Sequence, residues 1–208
     1  MKKILLALIM SLVATTSYAT TGATLTTQAE HILWSELEQE GVNTKHYNEV
    51  RCLAENIYFE GRAEPMMGKV AIGKVVMNRI DSDRHPNTVC GVVHEGPHRE
   101  SWKTRGKDVP DADRKYFPLR NKCDFSWYCD GKKDIVWVSY MDGTPIDANA
   151  TAWRDSINVA LFVLSGELKD PTNGADHYYN YHISNPYWAP LMTETAVIGN
   201  HRFMVEKR

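Results

Sequence analysis

Two stretches of this 208-residue chain carry side chains that could do chemistry. The first is CLAENIYFEGRAEPMMGKVAIGKVVMNRI, residues 52 to 80, in which Glu60 and Glu64 flank a Gly61-Arg62-Ala63 corner. A glutamate closing a helix meets the negative end of the helix dipole, which disfavours its charge and raises its pKa. The neighbouring Tyr58 and Phe59 could shield it from water and push the same way. A carboxylic acid still protonated near neutral pH is what glycosidic bond cleavage needs. A solvated helix-end residue balanced by Arg62 fits the same letters. Glu64 precedes Pro65 at the start of the next helix, where a carboxylate is favoured and can cap free amides, so a structural role reads more strongly there.

The second stretch is HEGPHRE, residues 94 to 100. It matches the H-E-x-x-H pattern of zinc proteases, in which two histidines four apart on a continuous helix point at one metal. Here Gly96 and Pro97 fill the intervening positions, and a proline inside a helix costs about 3 kcal/mol. His94 and His98 therefore read as solvent-exposed loop residues, and no metal or other cofactor is expected.

The elements that must hold these groups follow from apolar rhythm. Ile32, Leu33 and Leu37 mark a short helix over 30–40, after a small, polar start at 20–30 that reads as loosely attached. Val50, Leu53, Ala54, Ile57 and Tyr58 make one buried stripe over 48–59. A third helix opens at Pro65 and runs to about Ile80, with Gly68 and Ala71 small enough for close helix contact. Residues 81–130 form a long irregular excursion, and IVWVSYM (135–141) reads as a short strand. A late helix covers 151–168, and two apolar runs around Gly199-Asn200 signal a hairpin. The sum is α+β, mostly helical with a small antiparallel sheet.

The ends and the composition bound the setting. MKKILLALIMSLVATTSYA has the charged, apolar and small-residue order of a secretory leader cleaved after Ala19. Residues 20–47 then form an N-terminal extension and 48–208 the main domain. No stable membrane anchor is expected once the leader is gone, and the location reads as periplasm or extracellular. Without Lys2 and Lys3 the net charge is about −4, with no basic run, which excludes a nucleic-acid partner. Four cysteines in an exported chain favour disulfides. Three pairings are possible. The short loop between Cys123 and Cys129 favours that bridge, leaving Cys52 with Cys90.

The 52–80 segment resembles the cell-wall hydrolase family of spore cortex-lytic enzymes (SleB-like or CwlJ-like). Leu53, Ala54, Ile57, Tyr58, Glu60, Arg62, Glu64, Pro65, Gly68, Ala71, Val75, Asn78 and Arg79 fall on that family's pattern, with Ile72 in place of valine. CDFSWYCDG (123–131) and DPTNGADHYYN (170–180), followed by Trp188 and the GNHRF hairpin, are similar to two further blocks. The resemblance implies a lysozyme-like or lytic-transglycosylase-like α+β domain acting on the glycan strands of peptidoglycan, with Glu60 as catalytic acid. Two departures stand out. The family's E-A-R-G-E reads E-G-R-A-E here, which puts the corner in question if position 63 needs a left-handed backbone. The excursion at 94–121 is also longer than the family's.

One acid suffices for a lytic transglycosylase, which forms a 1,6-anhydro product, whereas hydrolysis normally uses two carboxylates. The resemblance favours the single-acid route. Glu64, Asp124, Asp130 and Asp176 are the candidate second carboxylates for a muramidase-type hydrolase. Two rival readings are a cell-wall-binding protein without turnover and a zinc peptidase or amidase. Trp127, Tyr178 and Tyr179 could present flat faces to sugar rings, and Ser126 and Asn180 could bond their hydroxyl or N-acetyl groups. With Glu64, these are the expected substrate-binding residues. His177 beside Asp176 reads as a surface pair.

Overall fold

The computed structural model describes residues 22–43, 46–141 and 144–207. The secretory-leader reading lies outside these described residues. In chain order the strands are β1 (Thr24–Leu25), β2 (His98–Glu100), β3 (Tyr116–Pro118), β4 (Ile135–Val136), β5 (Tyr140–Met141), β6 (Thr144–Pro145), β7 (His177–Asn180), β8 (Met192–Ile198) and β9 (His201–Glu206). The helices are α1 (Thr27–Gln39), α2 (Tyr47–Gly61), α3 (Met66–Ile80), α4 (Val89–Val93) and α5 (Ala148–Leu164). No described helix is long and apolar enough to cross a membrane. The architecture is α+β and mostly helical.

Leu53, Ile57 and Tyr58 of α2 meet Ile72 of α3 and Trp153 and Ile157 of α5 in one core, each 0 or 1 % exposed. The opposite face of α3 gives Ala71 and Val75 to a second cluster with Ala175 and Phe203 beneath the antiparallel sheet β7-β9-β8. Because α3 lies between helices and sheet, it is apolar nearly all round, as a doubly covered helix must be. Its close approach to other helices comes at Gly73, where a Cβ would press on Val163 and Ile57 at 3.2 and 3.3 Å. Gly68, expected in that role, packs against Glu64 instead.

Pro65 turns out to be the N-cap of α3, one residue before the helix proper. The 135–141 strand splits into β4 and β5, and the excursion contains α4 and the β2–β3 hairpin. Thr88 caps α4 by accepting from the Gly91 amide. The structure pairs Cys52 with Cys90 and Cys123 with Cys129. The first bridge ties α2 to α4 and the second closes the loop that carries Ser126 and Trp127.

The 20–30 segment is not loosely attached where it is described. Ala23 is buried, β1 pairs in parallel with β4, and the Ala23 amide donates to Glu55 of α2 at 3.1 Å. Arg51 bonds both the Glu55 carboxylate and the Ala23 carbonyl, each at 2.8 Å. The extension's helix α1 also shares the main core through Ile32 and Leu33, and Trp153 donates its indole N–H to Ala29. Glu55 is fully buried, so Glu55→Ala strands the Arg51 charge and an amide together. Removing one member of a buried ion pair costs about 3–5 kcal/mol. Urea denaturation of Glu55→Ala should show a loss near the low end of that range; a loss under about 1 kcal/mol would mean that the N-terminal strap is not held by this pair.

Candidate active site

Glu60 occupies the last turn of α2, since the helix continues through Gly61 and is capped at Arg62. The Gly61-Arg62-Ala63 order has a packing reason. A Cβ at Gly61 would stand 2.5 Å from Ile72 Cδ1, so a side chain there would have to displace the end of a buried isoleucine. Ala63 is not among the described residues with positive φ, so the exchanged alanine carries no left-handed strain.

The Glu60 side chain opens onto a cavity of about 1010 Å³. Burial pushes its carboxyl up to about 7, against the Tyr178 hydroxyl and the Arg79 guanidinium, which both favour the ionised form. Desolvation is therefore the main cause, rather than the helix dipole. Of the two aromatic neighbours, Phe59 lines the cavity, while Tyr58 turns into the core edge-on to Trp153.

Sequence reasoning did not assign Arg79 to the site. It is 4 % exposed and lies over the Phe125 ring at 4.9 Å. Its Nε donates to the Asp176 carbonyl at 2.7 Å and its Nη1 to Asp124 at 3.2 Å. It is thus a fixed cation in the cavity wall. Its place on the family's pattern, in the last turn of α3, was the available signal.

The expected substrate-binding residues reach this one cavity, though with different freedom. Ser126 is exposed on a 3₁₀ turn (Ser126–Cys129) and lines the wall. Trp127 is 6 % exposed, stacks on Phe59 at 4.7 Å and donates its indole N–H to Asn56 at 3.0 Å. These contacts make it mainly a core residue, with little of its surface left at the cavity wall. Tyr178 and Tyr179 alternate along β7. Tyr178 packs inward on Phe203, while Tyr179 meets Trp188 edge-on at 5.6 Å. Asn180 accepts from the His182 amide at 3.0 Å and shapes the loop that brings Ile183 and Ser184 to the rim.

Glu64 is buried and fully engaged. Its two oxygens accept from the Asn200 amide at 3.0 Å and the Asn200 side chain at 2.8 Å, with His201 Nδ1 at 3.6 Å. This carboxylate clamps the β8–β9 turn to the foot of α3, so the capping expected from its position becomes a long-range clamp.

The remaining candidate second carboxylates are also occupied. Asp124 pairs with Arg79 and Asp130 with Lys132. Asp176 is 4 % exposed and holds Arg84 at 2.7 Å and His177 at 2.8 Å, which makes it a buried anchor rather than half of a surface pair. One carboxylate unnoticed in the sequence does face the cavity. Asp134 is pushed up to about 6 by desolvation and by repulsion from Asp130. Its only sequence signal was its place in the DGKKD turn.

The HEGPH letters do not describe one helix. α4 ends at Val93, and His98 lies in β2. His98 is exposed, but His94 is half-buried against Tyr128, ring centroids 4.4 Å apart, and burial lowers its pKa to about 4. The solvent-exposed reading thus fails for His94. Donor atoms of His85, Glu95 and Asp124 lie within 4.8 Å of one another. Each has a protein partner, since His85 bonds Glu95 at 2.7 Å and Asp124 bonds Arg79.

The sequence pattern of the Cell Wall Hydrolase family matches residues 63–204, beginning just after Glu60. The chain is 28% identical over 156 residues to a spore cortex-lytic enzyme of Bacillus cereus, covering 75% of this chain and 44% of that one. For the spore cortex-lytic enzyme of Halalkalibacterium halodurans the identity is 27%, covering 75% and 34%. The chain therefore spans less than half the length of these relatives. Among solved structures, the catalytic domain of the Bacillus cereus SleB protein is 27% identical, with 76% of this chain and 90% of that one covered and a TM-score of 0.42. The catalytic domain of the germination-specific lytic transglycosylase SleB from Bacillus anthracis is 26% identical, covering 76% and 94%, with a TM-score of 0.43.

Proposed function

The chain belongs to the cell wall hydrolase family, and from that premise we propose that it cleaves peptidoglycan glycan strands as a lytic transglycosylase, with Glu60 as its single acid. The observation that carries this reading is a carboxyl raised to about 7 inside a cavity large enough for several sugar rings. Protonated Glu60 gives its proton to the glycosidic oxygen, and the bond from that oxygen to the muramic anomeric carbon breaks. The sugar's own 6-hydroxyl then bonds to that carbon, and its proton passes to the Glu60 carboxylate. The product is a 1,6-anhydro ring, and the acid is restored without water. Arg79 steadies the carboxylate between the two transfers.

The single-acid route is favoured because Glu64 and Asp124 are held by Asn200 and the buried Arg79, and Asp130 is paired with Lys132. Asp134 motivates the second reading, a two-carboxylate hydrolase, since it faces the same cavity. Two disulfides suit an exported protein working in the periplasm or outside the cell.

Digestion of purified sacculi, read by mass spectrometry of the soluble products, tests the proposal. Anhydromuropeptides are expected. Reducing-end muropeptides would transfer the case to the hydrolase, free stem peptides to a peptidase or amidase, and binding without release to a protein that has lost turnover.

A further inference from the structure

Tyr178 lies between Phe125 and Phe203, with ring centroids 6.4 and 5.6 Å away, and is edge-on to His201 at 5.2 Å. With its ring packed on three sides, it has little free face for a sugar. Its hydroxyl is buried and completes no hydrogen bond with the described residues. A buried hydroxyl left without a partner is destabilising, so an orphan here calls for a physical reason. The polar group it approaches is the Glu60 carboxyl, which opens onto the same cavity.

We infer that Tyr178 is a positioning residue for Glu60: its phenol O–H donates to the carboxylate left after proton delivery and holds it aimed at the sugar for the returning proton. This rests on the acid role proposed for Glu60. A hydroxyl bonds an anion about twice as strongly as a neutral acid. The contact is therefore slack while Glu60 keeps its proton and tightens as charge develops, which is the differential binding that accelerates a reaction. Burial and the nearby Glu60 push the Tyr178 phenol well above its ordinary range, so it stays a donor and does not carry protons itself. The other charged and titratable groups facing the cavity include Arg79 from α3, Glu64 from the corner, His177 from β7, His201 from β9, Asp124 from the disulfide loop and Asp134 beside β4. Substituting Tyr178 by phenylalanine alters none of them and retains the ring.

Tyr178→Phe should lower kcat about tenfold and leave KM within about twofold, because the lost contact exists only as charge forms. Removing a donor to the carboxylate also raises the Glu60 pKa. The alkaline limb of the pH–rate profile should therefore move up by about one pH unit. Infrared titration of the labelled Glu60 carboxyl should show the same upward move. Placing 3-fluorotyrosine, a stronger donor, at 178 should move that midpoint down with the fold intact. An unchanged Glu60 midpoint in both proteins overturns the inference, and so does a raised KM with unchanged kcat. If the midpoints move as expected while Glu60→Gln stays active, the positioning contact stands and the proposed acid role is what fails.

Discussion

Glu60→Gln should cut glycan release from sacculi about a thousandfold or more, since a positioned general acid contributes roughly 10²–10⁴ and this reading offers no second donor. The amide keeps the shape of the side chain and cannot deliver a proton. The same substitution should make the protein more stable, with a definite pH signature. Glu60 is raised from 4.5 to about 7 on folding. Below about 4.5 both folded and unfolded chains hold the proton, and burial of this group carries no ionisation penalty. As pH rises through the window from 4.5 to 7, the unfolded chain ionises first and the folded state loses stability. Above about 7 the penalty is complete, at most about 3 kcal/mol. Thermal or urea denaturation at pH 8 should therefore find Glu60→Gln the more stable protein, with the gap closing towards pH 4. Full activity in the variant would remove Glu60 from the reaction, and a gap that widened with acid would show that the carboxyl is not held neutral by burial.

Gly199→Val should be the most damaging change away from the acid itself. Gly199 has a φ of +57°, a conformation that a β-branched residue adopts only under strain. A Cβ there would also collide with Glu64 Oε2. The carboxylate would have to leave Asn200, releasing two hydrogen bonds and leaving a buried charge poorly partnered. Backbone strain and lost hydrogen bonds together amount to about 4 kcal/mol. Glycan cleavage should fall with stability, because β9 carries His201 and Phe203 against the Tyr178 wall of the cavity. Glu64→Gln keeps an acceptor for the Asn200 side chain and should cost only about 1 kcal/mol. A Gly199→Val protein within about 1 kcal/mol of the parent in urea would show that the turn is not clamped by Glu64.

The parts of this molecule that were legible in its sequence are those set by local periodicity. The buried stripe of α2 is visible in Val50, Leu53, Ala54, Ile57 and Tyr58, and it delivers Glu60 to a helix end without any tertiary information. Gly199-Asn200 likewise marks the hairpin because its turn chemistry is local. What could not be read depends on distant partners. Glu55 looks like one more polar helix residue until Ala23, 32 positions away, is seen to donate to it. Trp127 looks like a sugar platform until Phe59 and Asn56 cover it. His94 looks like a loop residue until Tyr128 stacks on its ring. Arg79 and Asp134 enter the cavity only once α3 and β4 are folded against it.

Infrared titration of the isotope-labelled Glu60 carboxyl, with its band identified by its absence in Glu60→Gln, reaches the central claim without waiting for turnover. The protonated C=O band should persist through pH 6 and disappear with a midpoint near 7. A midpoint near 4.5, the ordinary value for a glutamate, would mean that the group enters neutral solution already ionised and has no proton to give.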